Sequence, residues 1–252
     1  MPDDGLPSLT LFSAAPFVDS LRQPLIRFIQ RTTQPRRRTA DGLVYLGDGQ
    51  PVIVFPHFGM GAESTWRLRL ALSQAGFSVH DWGLGADSGP GPHGLGRSLR
   101  RMEEQLIDVF ERERCGVTLL GWSLSGIYAR ELAKRATPLV RQVITLSTPF
   151  RASSDLAHAP SMVRALADAT GHMDAALVRR MRQRPPVPCT SIYSTDDSVV
   201  PWELCVESDA PDAENIALPG VGHFELPVHP RALEAISRRL AQPEDDWRPL
   251  DA

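Results

Sequence analysis

Residues 117–126, reading V-T-L-L-G-W-S-L-S-G, constrain this chain more than any other stretch. Val117, Thr118, Leu119 and Leu120 are apolar or β-branched without alternation, the pattern of a strand buried on both faces. Gly121 ends the run, Ser123 follows, and Ser125 and Gly126 keep the far side small. From Ile127 the sequence I-Y-A-R-E-L-A-K-R-A is rich in helix formers, with Leu124, Ile127, Tyr128, Leu132 and Ala133 at helical spacing. A strand therefore runs into a helix through a tight turn with a serine at its apex, and the small residues let the two backbones approach. A serine at that place is also a good N-cap for an ordinary helix, so the rest of the chain has to decide what it does.

A chain of 252 residues can bury a sizeable core and lies near the upper limit for one domain. Its 42% hydrophobic and 23% charged residues are those of an ordinary soluble globular protein, and a net charge of −3 gives no case for nucleic-acid binding. Cys115, Cys189 and Cys205 fit no zinc or C-x-x-C pattern and read as reduced thiols. The start, M-P-D-D-G, lacks a basic stretch before an apolar core, so no signal peptide is expected. No apolar run reaches the ~18 residues of a membrane span, and the expected location is cytoplasmic.

Residues 1–40 read as a basic leader containing one helix. Over 16–31, Phe17, Leu21, Leu25, Phe28 and Ile29 share a face, Arg22, Arg27 and Arg31 lie elsewhere, and Pro24 kinks or splits the element. With Arg36, Arg37 and Arg38 following, a weak membrane-surface contact is conceivable; packing of the apolar face on a sheet is the simpler reading. The remainder, 41–252, reads as one domain. Strands are predicted at 51–56, 77–82, 117–122, 141–146, 189–194 and 214–218. Helices are predicted at 63–75 (stopped by Gly76), 97–114, after the serine turn, and at 230–240. Residues 151–186 are helical without a strand signal, and Pro185 and Pro186 close them. The alternation implies an α/β class with a mostly parallel sheet of about six strands, helices on both faces and right-handed crossovers.

The serine turn resembles the nucleophile elbow, G-x-S-x-G, of the α/β-hydrolases, and within them the esterase- and lipase-like members with G-W-S-L-G-G elbows. Ser125 stands where the third glycine usually sits, for which a slightly wider turn is expected. The resemblance covers roughly residues 50–243, and the helical insertion at about 151–186 falls where that family carries its cap. It implies the α/β-hydrolase fold, Ser123 as nucleophile, and partners that follow in the order acid, then histidine. In S-I-Y-S-T-D-D-S-V-V-P-W, the family pattern of Asp, three residues and Pro falls on Asp197, with Asp196 as the alternative. In L-P-G-V-G-H-F-E-L-P-V-H-P, His223 resembles the histidine of the family's G-x-x-H loop, ahead of His229.

The same resemblance implies an oxyanion hole made by the N–H groups of Leu124 and Phe58, the latter in P-H-F-G where many relatives have H-G-F-G. His57 replaces the usual glycine and, with Met60, Trp82 and Trp122, is expected to line the substrate site. The implied activity is hydrolysis of small-molecule carboxylic esters with apolar acyl groups through an acyl-enzyme, without a cofactor. An acyltransferase or thioesterase using the same triad, and a non-catalytic binding protein, are the alternatives. Residues 91–98, G-P-H-G-L-G-R-S, nearly spell a P-loop but follow irregular chain rather than a strand, and no H-E-x-x-H or carboxylate cluster suggests a metal.

Overall fold

A computed structural model describes residues 47–86, 94–152, 175–244 and 246–250, together with two short strands, β1 (Arg38–Thr39) and β2 (Gly42–Leu43), paired antiparallel. The chain divides into two units, Met1–Pro35 and Arg36–Ala252. The predicted helix at 16–31 lies outside the described residues, as do residues 153–174 of the predicted cap. Among the described residues no helix is long and apolar enough to cross a membrane.

Six parallel strands form the central sheet, in the order β4-β3-β5-β6-β7-β8. They are β3 (Pro51–Phe55), β4 (Ser78–Asp81), β5 (Val117–Trp122), β6 (Val140–Leu146), β7 (Cys189–Tyr193) and β8 (Ala213–Ala217). The inner strands are buried almost throughout because both faces are covered, β3 reading as an unbroken apolar run, and alternate residues serve opposite cores. Val52, Val54, Leu120, Trp122, Ile144 and Ile192 pack with Leu68 and Leu72 of α1 (Trp66–Gln74) and with Ile236 and Leu240 of α5 (Pro230–Ala241). Ile53, Phe55, Leu119 and Val143 face the other way, against Leu106 and Val109 of α2 (Gly94–Glu113) and Tyr128 and Leu132 of α3 (Ser125–Arg135). Each fully buried leucine or isoleucine here contributes about 1.5–3 kcal/mol of transfer free energy.

The strands and helices predicted within the described residues are present within a few residues of their expected ends, and 63–75 begins as a 3-10 turn (Ala62–Thr65) before becoming α1. Gly76 stops α1 as anticipated. Its φ of 95° is the left-handed conformation, and Phe77 N–H closes the end by donating to Leu72 C=O at 3.2 Å. α4 (Ala175–Arg182) is the part of the predicted cap that is described as helix.

From β3 the chain moves outward to β4, then returns to the far side of β3 as β5 and continues to β8. The winding direction therefore reverses between β3 and β5. In open parallel sheets such a switch point leaves a crevice at the carboxyl ends of the strands, because the flanking connections run away from each other there. Phe58 and Ser123 follow the two strands on either side of that switch.

A buried ion pair ties the loop after β7 to α3. Arg130 of α3 bonds Glu207, its guanidinium carbon lies 3.8 Å from the Phe150 ring centre, and both charged side chains are almost completely enclosed. Glu207 is itself held by Asn215 of β8, which accepts its N–H at 2.7 Å and donates to its C=O at 3.1 Å. Removing one partner strands the other charge in the interior, so Glu207→Ala is expected to cost about 3–5 kcal/mol, visible as a lowered denaturant midpoint. A variant as stable as the wild type would mean that the site relaxes to admit water.

Candidate active site

Four strand ends supply the site. Ser123 follows β5 and has φ 58°, an uncommon and strained conformation for a residue with a Cβ. Two bonds hold it there: its N–H donates to Leu146 C=O of β6 at 2.8 Å, and its C=O accepts from Gly126 N–H at 3.1 Å. The turn is tight at Gly121 and Gly126. A Cβ on Gly121 would lie 2.3 Å from the Gly126 Cα, and one on Gly126 would lie 2.1 Å from Thr148 Oγ1. Position 125 is not part of this closest approach, so the family's third glycine can be a serine here while Gly126 makes the contact.

His223 lies on the loop after β8, with Nε2 3.2 Å from Ser123 Oγ. Its Nδ1 is 2.7 Å from Asp197 Oδ2, on the loop after β7. A carboxylate oxygen can only accept, which assigns the proton to Nδ1 and leaves the Nε2 lone pair facing the serine hydroxyl. The other oxygen of Asp197 accepts from Val199 N–H at 2.8 Å and Val200 N–H at 2.9 Å. Burial alone pushes this carboxyl up, but the bonds from His223 and the Val200 N–H outweigh it, and Asp197 is held below the usual carboxylate range. Asp196 is exposed and does different work, accepting Gly220 N–H at 2.8 Å and so tying the acid loop to the histidine loop. His229 stands at the N-cap of α5 with Nε2 4.0 Å from Glu225 and takes no part in this chain of bonds.

Phe58, on the loop after β3, packs against a small cluster of Leu124, Ile127 and Met181. Among the described residues, neither the Phe58 N–H nor the Leu124 N–H donates to a protein acceptor. The surrounding wall is aromatic. His57 lies 4.7 Å from Trp122, 5.7 Å from His223 and 5.4 Å from Phe224, measured between ring centres. Phe224, 63% exposed and 5.2 Å from the His223 ring, was not singled out in the sequence, where only its place directly after the loop histidine marks it. Met60 is likewise exposed, three residues beyond His57.

Trp82 corrects the expected lining. It is buried on the opposite side of the sheet, stacked on Tyr128 with ring centres 6.3 Å apart, and its Nε1–H donates to Gly85 C=O at 2.8 Å. A large apolar ring just after β4, an edge strand, is here satisfied by the core.

Burial lowers the His57 imidazole below its ordinary 6.5; the Phe58 carbonyl opposes this and the nearby His223 adds to it. Below pH 6.5 the unfolded chain gains a proton at residue 57 that the folded chain resists, so this residue's contribution to stability is complete above 6.5 and is lost as pH falls beneath it. The melting temperature of wild type is therefore expected to fall more steeply than that of His57→Asn as pH drops below 6.5, and parallel profiles would contradict this. Among the described residues no group of three His, Cys, Asp or Glu side chains could hold a metal ion.

No protein-family model matches this sequence, and no curated protein matches it. Solved structures do. The monoacylglycerol lipase of Paleococcus ferrophilus is 18% identical over 77% of this chain and 94% of its own, with a TM-score of 0.52. Lipase B of Aspergillus fumigatus is 17% identical over 81% of this chain and 55% of its own, with a TM-score of 0.61. An α/β-hydrolase enzyme from a metagenome of lagoon sediments at Mar Chica, Morocco, is 17% identical over 77% of this chain and 90% of its own, with a TM-score of 0.53. With its parallel sheet of six strands, wound in both directions and covered on both faces, the chain has the α/β-hydrolase fold.

Proposed function

We propose that this protein is a serine hydrolase of carboxylic esters, with Ser123 as nucleophile, His223 as base and Asp197 as the acid that orients it. The observation that carries this reading is the continuous chain of bonds from Asp197 through His223 to a serine on a strained turn. A serine hydroxyl is unreactive at neutral pH, and a neutral imidazole with its lone pair on Nε2 supplies the missing base. As Oγ bonds to the acyl carbon, its proton passes to Nε2 and the carbonyl π electrons move onto oxygen. The N–H groups of Phe58 and Leu124, without a protein acceptor among the described residues, receive that negative charge. Collapse of the adduct breaks the bond to the alcohol, which leaves with the proton from Nε2. Water then repeats the sequence on the acyl-enzyme and releases the acid.

Apolar surface at Phe58, Met60 and Phe224 favours an apolar acyl group, and the resemblance to proteins named as lipases supports the same choice. The test is intact-protein mass after treatment with an alkyl fluorophosphonate. One adduct is expected on wild type and none on Ser123→Ala. Wild type without an adduct, or a variant that still carries it, would overturn the assignment of Ser123.

A further inference from the structure

We propose that His57 is a positioning residue, whose imidazole clamps the backbone that presents the Phe58 N–H to the developing oxyanion. This rests on the ester-hydrolase reading above. The peptide between residues 57 and 58 carries the donor. Its planar trans geometry aims the N–H opposite the His57 C=O, and that C=O is fixed by Met60 N–H at 3.0 Å. The next peptide plane is held by the side chain, because His57 Nδ1 lies 2.8 Å from Phe58 C=O. A carbonyl only accepts, so Nδ1 carries the proton and the ring is the donor. Ser64 completes the brace: its Oγ accepts from His57 N–H at 3.1 Å and donates to Gly61 C=O at 2.8 Å.

The clamping arm is itself immobilised. The His57 ring is buried against Trp122, whose plane is inclined to it at 65°, and against His223 and Phe224. A loop bonded at three successive points leaves the Phe58 and Gly59 N–H groups without a protein acceptor among the described residues, and the clamp on Phe58 C=O, with the turn closed at His57 C=O, fixes the peptide planes on either side of Phe58. Preorganised donors stabilise a transition state only when their direction is set before the charge appears. Glycine at position 57 would give the same backbone path without the clamp on Phe58 C=O.

Kinetics on p-nitrophenyl butyrate with wild type, His57→Asn, His57→Phe and Ser64→Ala test this. The asparagine amide nitrogen falls near the place of Nδ1 and keeps the donor, whereas phenylalanine keeps the ring and loses it. His57→Phe is expected to lower kcat about 30-fold with KM within about twofold. Affinity for an alkylboronic acid, which forms a tetrahedral adduct on the serine, should fall by the same factor. His57→Asn should recover kcat to within about fivefold of wild type. Wild-type kcat in His57→Phe, equal losses in both His57 variants, or a loss confined to KM would overturn the proposal. If His57→Phe does not fold, Ser64→Ala decides it, with a kcat loss of about fivefold expected and an unchanged kcat overturning it. Wild type that neither turns over esters nor takes a fluorophosphonate on Ser123 would remove the hydrolase reading itself, whereas an active wild type with an equally active His57→Phe removes only the clamp.

Discussion

Ser123→Ala is expected to lower kcat for ester hydrolysis by about 10⁵-fold or more, with the folded structure and its melting temperature little changed. The size follows from the proposed mechanism. Without Oγ there is no acyl-enzyme, and what survives is direct attack by water in a site that still offers two N–H donors and a base. The small structural effect follows from the backbone. The strained φ of 58° is held by hydrogen bonds through Ser123 N–H and C=O, neither of which involves the hydroxyl. Steady-state kinetics with a p-nitrophenyl ester and thermal melting measured together check both halves. Turnover within about tenfold of wild type would refute the nucleophile, since no other group in the triad can replace Oγ.

The second large effect separates two adjacent carboxylates. Asp197→Asn is expected to lower kcat by about 10⁴-fold at neutral pH. An amide presents its NH₂ to His223 as readily as its carbonyl, so the ring loses the partner that keeps the proton on Nδ1, and no group offsets the imidazolium that forms. Asp196→Asn should cost less than about tenfold, because its carboxylate bonds the Gly220 N–H and a carbonyl oxygen can take over that role. Kinetics on both variants with one ester decide between them. A larger loss in Asp196→Asn would exchange the two roles.

These two residues also show how much of the site was legible beforehand. The elbow could be read from 117–126 because a doubly buried strand, a small-residue turn and an amphipathic helix each impose a local pattern. The late acid and histidine were chosen by their order along the chain, which the resemblance supplied. Choosing Asp197 over Asp196 used the proline that follows, and the structure brings Asp197 to His223. Trp82 was misread because a tryptophan beside a glycine-rich loop looks the same in sequence whether it faces a crevice or a core. Phe224 was overlooked because one exposed aromatic has no periodicity to announce it. The Arg130–Glu207 pair was invisible for another reason: its partners are 77 positions apart, and nothing local distinguishes an arginine that will be buried from one that will be solvated.

The sequence by itself determined the class, the succession of strands and helices, the place of the serine turn and the end of α1 at Gly76, since each depends on contacts within a few residues or on a single backbone preference. Only the tertiary structure decided which side of the sheet each residue served, that Gly126 and not residue 125 makes the close approach at the elbow, and that His57 turns its Nδ1–H onto the neighbouring carbonyl. Those outcomes depend on the strand order and on the packing of loops that meet at the carboxyl ends of β3, β5, β7 and β8. Contacts between segments so far apart in the chain are set when the whole core closes, and no local pattern encodes them.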